Sequence, residues 1–364
     1  MRHRRYWLAL VAVLPGVSLL GSPAGAATAT KTYTWGNGAE STPTSSPVTG
    51  EIGIAAGNLK DVAIVPGGTL EEFENTSRPS SLTGASGVTQ VVTGDGDFAA
   101  LASSGNVWVW GKNIGGDLGT GNDDETHEPV ELSQPTGVVQ LAEANLHTFA
   151  LTASGEVWVW GSNADNAIDE GSSVAGESVP VVNEQLTDLT GGSSTGVMLT
   201  TGPAFGELLV DGSVYSWGEN DAYQCGCGAT GTIETPLPVT SHVPFVFIDA
   251  GGDQDENGQT LALDENGDVW CWGDNSTNQC GVRGKRDIAK PVEVPGLPDD
   301  VVTVRAGGLH SLALDASGNV WAWGDNSEGQ VGNGSEEVQP TPTIVLTGMS
   351  EISAGAEHSL AANP

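Results

Sequence analysis

One pattern recurs along almost the whole chain: an aromatic residue, a spacer, then Trp-Gly. It falls at Tyr33/Trp35-Gly36, Trp108/Trp110-Gly111, Trp158/Trp160-Gly161, Tyr215/Trp217-Gly218, Trp270/Trp272-Gly273 and Trp321/Trp323-Gly324. Ten of the eleven tryptophans belong to this motif, and the eleventh is Trp7. A seventh, worn copy lies in VAIVPGGTLEEFEN, where Phe73 stands in for the second Trp and Glu74 for the glycine. Successive anchors lie 37 to 57 residues apart. A period of that size means one small unit used again and again, each copy unable to bury its apolar faces alone.

The copy near the C-terminal end reads as four short strands, VVTVRAG, HSLAL, NVWAWG and TPTIVLTG, separated by Gly, Asn, Asp and Ser turns. Strand NVWAWG has no polar face, since valine and alanine alternate with tryptophan. Burial on both sides fits four-stranded blades stacked around an axis. The upstream half of the unit starts near Ala56, Thr93, Ala142, Gly191, Ala250, Ala306 and Ala354. After its first residues the chain opens on the Trp strand alone, KTYTWG, and it ends on that strand's partners, MSEISAGAEHSLAANP. Two half-repeats at opposite ends complete one another and remove a free sheet edge. The expected fold is all-β, a seven-bladed β-propeller with the N-terminal strand closing the last blade. It forms one domain over residues 27–364.

The anchors W-G-x-N-x-x-G-Q-x-G (Trp323 to Gly332, and Trp272 to Gly281 with Asn278 replacing Gly) and A-G-x-x-H-S-L-A-L (Ala306 to Leu314) resemble the regulator of chromosome condensation repeat. The resemblance runs from Lys31 to Pro364 and implies the same seven-bladed, strand-closed propeller. Function does not follow from it, because function lives in the loops grafted on a fold. Nuclear members of that family exchange guanine nucleotide on a small GTPase while bound to chromatin. Secreted bacterial propellers of similar appearance include an inhibitor of β-lactamase, with shorter repeats that lack most of these tryptophans.

Residues 1–26 read as a secretory signal peptide: a basic start with Arg2, Arg4 and Arg5, an apolar run from Trp7 to Leu20, and the small residues Ala24-Gly25-Ala26. The expectation is a secreted, extracellular protein with no membrane insertion. The chain carries 12 basic and 46 acidic residues, a net charge of -34. Losing a leader with three arginines and no acid takes this to -37. Such a surface repels phosphate backbones and anionic lipids, so nucleic acid is not an expected partner and the chromatin role is disfavoured.

Few residues suggest chemistry. His147, His310 and His358 fill one slot of three repeats, with Lys60, Asp97, Thr195 and Gln259 aligned to it in the others. A repeat-locked histidine at a strand start reads as a hydrogen-bonding residue rather than a catalytic one. No P-loop, HExxH or dinucleotide fingerprint stands in its proper context. The insertion AGGDQDENGQTLALD in blade five places Asp253, Asp255 and Asn257 like the opening of a calcium loop, with Asp264 at its twelfth position. A solvated acidic loop reads the same residues without a metal, and no cofactor belongs to the expected function. Cys225, Cys227, Cys271 and Cys280 allow three pairings. Cys271–Cys280 is favoured because both lie in one repeat, with zinc as the alternative. The expected function is a monomeric, non-enzymatic binding scaffold for a protein or cell-envelope partner. Contact candidates are Glu71, Glu72 and Phe73 of the worn blade, the insertion Thr200 to Val210, and the acidic insertion at Asp253. Inhibition of a secreted enzyme, or a cell-wall-acting enzyme at the propeller mouth, are the alternatives.

Overall fold

A computed structural model describes residues 31–36, 40–57, 60–74, 77–163, 167–168, 176–252 and 258–363. Seven four-stranded antiparallel sheets surround one axis. Blade 6 shows the plan: an inner strand Val301–Ala306, a second strand His310–Asp315, a third strand Val320–Gly324 and an outer strand Gln339–Leu346. Because neighbours are antiparallel, the turn from inner to second strand and the loop from third to outer strand emerge on one face, here the loop face. The tight second-to-third turns and the links between blades lie on the opposite face.

The Trp strand explains why blades must stack. Trp35, Trp110, Trp160, Trp217, Trp272 and Trp323 are at most 1% exposed. Four of these indoles also bind across seams; Trp35 Nε1 donates to the Gln330 carbonyl at 2.8 Å, and Trp323 Nε1 to that of Gln279 at 2.7 Å. The repeat's glycines serve this contact. Gly332 has φ +81°, and a Cβ there would sit 2.7 Å from Trp35 Cδ1. Gly324, just after its Trp, has φ +107° and would press a Cβ to 2.7 Å from the Leu309 carbonyl oxygen. No larger residue satisfies both conditions.

Closure is as the half-repeats predict. Strand Lys31–Gly36 pairs with His358–Ala362, placing Thr34 opposite Leu360 and Gly36 opposite His358. Blade 7 is thus built from both ends of the chain. Lys31 N–H donates to Asn363 Oδ1 at 2.8 Å, extending the seal.

Blade 4 differs from the sequence expectation. Its inner strand is Val197–Thr201, not a segment starting at Gly191, and Thr200 to Val210 forms the inner hairpin with Phe205–Val210 rather than an insertion. The added element is the helix Glu184–Thr190 ahead of it, capped by Asn183, whose side chain accepts from Leu186 N–H. Gly191 ends this helix in the left-handed region at φ 65°. Its Gly-Gly pair imitates the repeat's small-residue turn. The register also moves the histidine slot of blade 4 to Phe205, replacing Thr195, because Phe205 pairs with Gly218; in blade 1 the slot stays at Lys60, one residue before Asp61, which pairs with Phe73 in the Trp place.

Cys271 and Cys280 form a disulfide with Cα atoms 5.4 Å apart, while Cys225 and Cys227 are free thiols. The bridge ties the third strand of blade 5 to the loop that follows it.

Candidate functional site: the loop face and the axial channel

The seven inner strands line an axial channel of about 890 Å³. Their polar groups are largely used up in joining blade to blade. Gln90 accepts from Leu141 N–H and donates to its carbonyl, and Gln140 does the same to Leu199. Thr93 donates to the Ala56 carbonyl, Thr200 accepts from Ala250 N–H, Asp249 from Ala306 N–H, and Ser353 from Ala56 N–H. Between blades 6 and 7, Gly308 N–H donates to the Gly355 carbonyl. Every seam therefore has at least one bond at the axis.

A second ring lies at the loop-face end of the second strands, in the histidine slot. His358 Nε2 meets Asp61 Oδ1 at 2.6 Å, His310 Nε2 meets Ser359 Oγ at 2.9 Å, and His147 Nε2 meets Thr201 Oγ1 at 2.6 Å. Gln259 donates to the Gly307 carbonyl. Each of these residues reaches into the next blade, so the histidines are joints. Burial lowers the pKa of His147 to about 4 and that of His310 to about 3, keeping both neutral. Burial opposes the charged form of His358 too, but Asp61 outweighs it and holds that pKa above the usual value.

Buried acids complete the electrostatics. Asp97 fills the slot of blade 2 and faces Glu143 of blade 3; burial raises Asp97 to about 6 and Glu143 well above its usual value. Glu207, fully buried in the second strand of blade 4, accepts from Trp272 Nε1 at 3.0 Å. Burial raises its pKa to about 8, so it is protonated at neutral pH. Burial likewise raises Asp249 to about 6, although Arg305 opposes the shift.

The sequence-derived candidates fall in different places. Asp253, Asp255 and Asn257 lie outside the described residues. Asp264 ends the second strand Gly258–Asp264 on the far face. Its carboxylate accepts from Asn266 N–H, Asp268 N–H and Trp270 Nε1. Asp315 makes the same turn with Ser317, Asn319 and Trp321. Phe73 is 3% exposed and packs with Val48, Ala56, Ala63 and Leu360, filling the core place of the missing Trp. Glu72 pairs with Lys60 at 2.5 Å, and Glu71 is half-buried beside it.

The long third-to-outer loops, in contrast, share a root and differ at the tip. Asn113, Asn220, Asn275 and Asn326 each accept from a loop N–H five residues on and donate to carbonyls farther along. From these fixed roots come Asp123-Asp124-Glu125 in blade 2, Arg283-Gly284-Lys285-Arg286 in blade 5 and Ser335-Glu336-Glu337 in blade 6. Asn is the loop's staple; the tips are free to vary.

Fold and face together define a seven-bladed propeller with a constant frame and variable loop tips. Models of the regulator of chromosome condensation (RCC1) repeat match residues 104–151, 211–254, 266–314 and 317–362, and a second model of that repeat matches 145–166 and 301–330. The chain belongs to the RCC1 repeat family. Human E3 ubiquitin-protein ligase HERC2 is 32% identical over 203 residues, 53% of this chain and 4% of that protein. The mitochondrial RCC1 domain-containing protein RUG3 of Arabidopsis thaliana is 33% identical over 199 residues, 51% of this chain and 42% of that protein. Among solved structures, Prp20p from Saccharomyces cerevisiae superposes with a TM-score of 0.78 at 19% identity, covering 92% of this chain and 91% of that one. Human WBSCR16 gives 0.79 at 21% identity, covering 92% and 98%.

Proposed function

We propose that this chain is a secreted, non-enzymatic binding scaffold that presents its loop-face tips to a protein or cell-envelope partner. The carrying observation is the division within each long loop: an Asn-anchored root repeated from blade to blade, and a tip that differs in charge and sequence. Binding surfaces need rigid support and variable contacts, and loops on a fixed scaffold supply both. Most polar side chains of the inner strands are engaged in seams, while the tips carry exposed charged groups. Prp20p is described with binding properties to Gsp1p and histones, and a protein partner is the corresponding reading here. The charge of -34 disfavours nucleic acid. Secretion rests on the leader read in residues 1–26.

The test is affinity capture from culture supernatant and cell envelope. The bait is compared with variants whose tips at 123–125, 283–286 or 335–337 are replaced by Gly and Ser. Loss of the captured partner with an unchanged melting temperature is the expected result. Equal capture by every tip variant, or turnover of a wall polymer by the purified protein, would overturn the reading.

A further inference from the structure

We infer that the seam between blades 2 and 3 is a pH-sensitive joint of the ring, held by a proton shared between Asp97 and Glu143 and loosened when that proton leaves. The comparison is internal to the molecule. In the same slot, seam 6–7 joins a histidine to a hydroxyl, seam 3–4 does likewise, and seam 7–1 joins His358 to Asp61. Those pairs are neutral or of opposite charge. Seam 2–3 alone among these opposes two acids.

Asp97 has no exposed surface, and neither of its oxygens has a well-placed donor on another residue. Glu143 Oε1 receives a long bond from Thr148 Oγ1 at 3.4 Å, the Ala99 N–H also faces its carboxyl, and its Oε2 is buried without a good partner. Among the other groups facing the pair, only Lys112 supplies a counter-charge, and it is the smallest influence on Asp97. Asp95 and Asp117 add negative charge, and Lys112 is drawn to Asp95 at 3.4 Å. His147, the next slot residue, turns away to Thr201. A fully buried carboxylate facing a half-buried one disfavours ionisation of both, so one keeps its proton and donates to the other.

The direction follows from linkage. In an opened seam these acids titrate near the usual carboxyl range, while the closed seam holds its protons to higher pH. Closure is favoured fully below about pH 4 and is lost as pH rises through about 6, where Asp97 ionises, with the raised Glu143 acting in the same sense. Each proton released on opening makes opening about tenfold easier per pH unit across that window.

The experiment is native-state hydrogen exchange of the full chain between pH 5 and 8.5, corrected for intrinsic exchange rates. In the wild type, amides of Val88–Thr93 and Val138–Ala144 should lose at least about tenfold in protection across this range. Those of Val320–Gly324, whose Trp323 is held by the Gln279 carbonyl, should not. In an Asp117→Gln background, which removes the other raised acid of this seam, Asp97→Asn keeps the shape and removes the second acid, so seam 2–3 should lose most of the pH dependence; Glu143→Gln in that background is the independent check. A pH response shared by all seams, or one retained in both variants, would overturn the inference.

Discussion

Seams 6–7 and 2–3 are two settings of the same joint. In seam 6–7 the Gln330 carbonyl receives Trp35 Nε1 and Ser359 Oγ, while the Gln330 side chain donates to Asp325 and accepts from Glu328 N–H. Nothing polar is left over at that turn. In seam 2–3 the residue at Gln330's position is Asp117, buried, with neither carboxyl oxygen well bonded, and Trp160 Nε1 lacks an acceptor. The apolar frame is equivalent, so packing sets the geometry and the slot chemistry sets how the joint responds to its medium. A repeat can thus keep its shape while individual seams acquire different properties.

The largest expected effects test the shared frame. Trp35→Ala empties a fully buried site and should cost about 3–5 kcal/mol by denaturant unfolding. Removing Lys31–Gly36 altogether should cost more, since it also strips the edge of His358–Ala362. A truncated chain that melts like its parent would break the comparison at its root.

Next comes a covalent difference between blades. Ser216 and Cys225 of blade 4 occupy the positions of Cys271 and Cys280, so Ser216→Cys should form a second disulfide. The gain expected for so short a loop is about 2–3 kcal/mol. A mass lower by two hydrogen atoms after air oxidation and a raised melting temperature that reductant abolishes would establish it; two free thiols at that site would count against equivalence of the blades.

The pH predictions sharpen the contrast between seams. Burial, then the Asp97 charge, raises Asp117 to about 8, so the folded form holds a proton that the unfolded chain releases near pH 4. Stability from that proton is present below about 4 and lost as pH rises towards about 8. Asp117→Gln, which restores the repeat's own residue, should stabilise the protein at pH 8 and less so at pH 5. The neutral histidines act in the opposite sense. Their contribution is present above about 6.5 and is lost as pH falls through about 4 for His147 and about 3 for His310. His147→Gln, borrowing the residue of blade 5, should reduce acid sensitivity. Melting curves from pH 3.5 to 8.5 would check both signs.

The smallest effect separates two indoles. Trp35→Phe loses the bond to Gln330 and should cost about 0.5–1.5 kcal/mol more than Trp160→Phe, whose N–H has no acceptor to lose.

The fold was legible because its signal is periodic: the Trp-Gly anchors and the two half-repeats at the chain ends determine blades and closure together. Cys271–Cys280 could be favoured because both residues sit in one unit. Blade 4 was misaligned because Gly191-Gly192 ends a helix while looking like a blade turn. Phe73 was assigned to the surface although it aligns with a core Trp, and its burial follows from that alignment. The buried acids were hidden by number. Among 46 acidic residues, the telling signal was position: Glu207 stands where sister repeats carry Leu261, Leu312 and Leu360. Loop tips obey no such repeat, which is why the partner was not legible from the sequence.

The closed ring is tested most directly by hydrogen exchange at the joining strand. The account predicts that amides of Thr32–Gly36 are protected as strongly as those of Val320–Gly324 and open together with His358–Ala362. Exchange of Thr32–Gly36 at the rate of the exposed loop tips, while His358–Ala362 stayed protected, would contradict it.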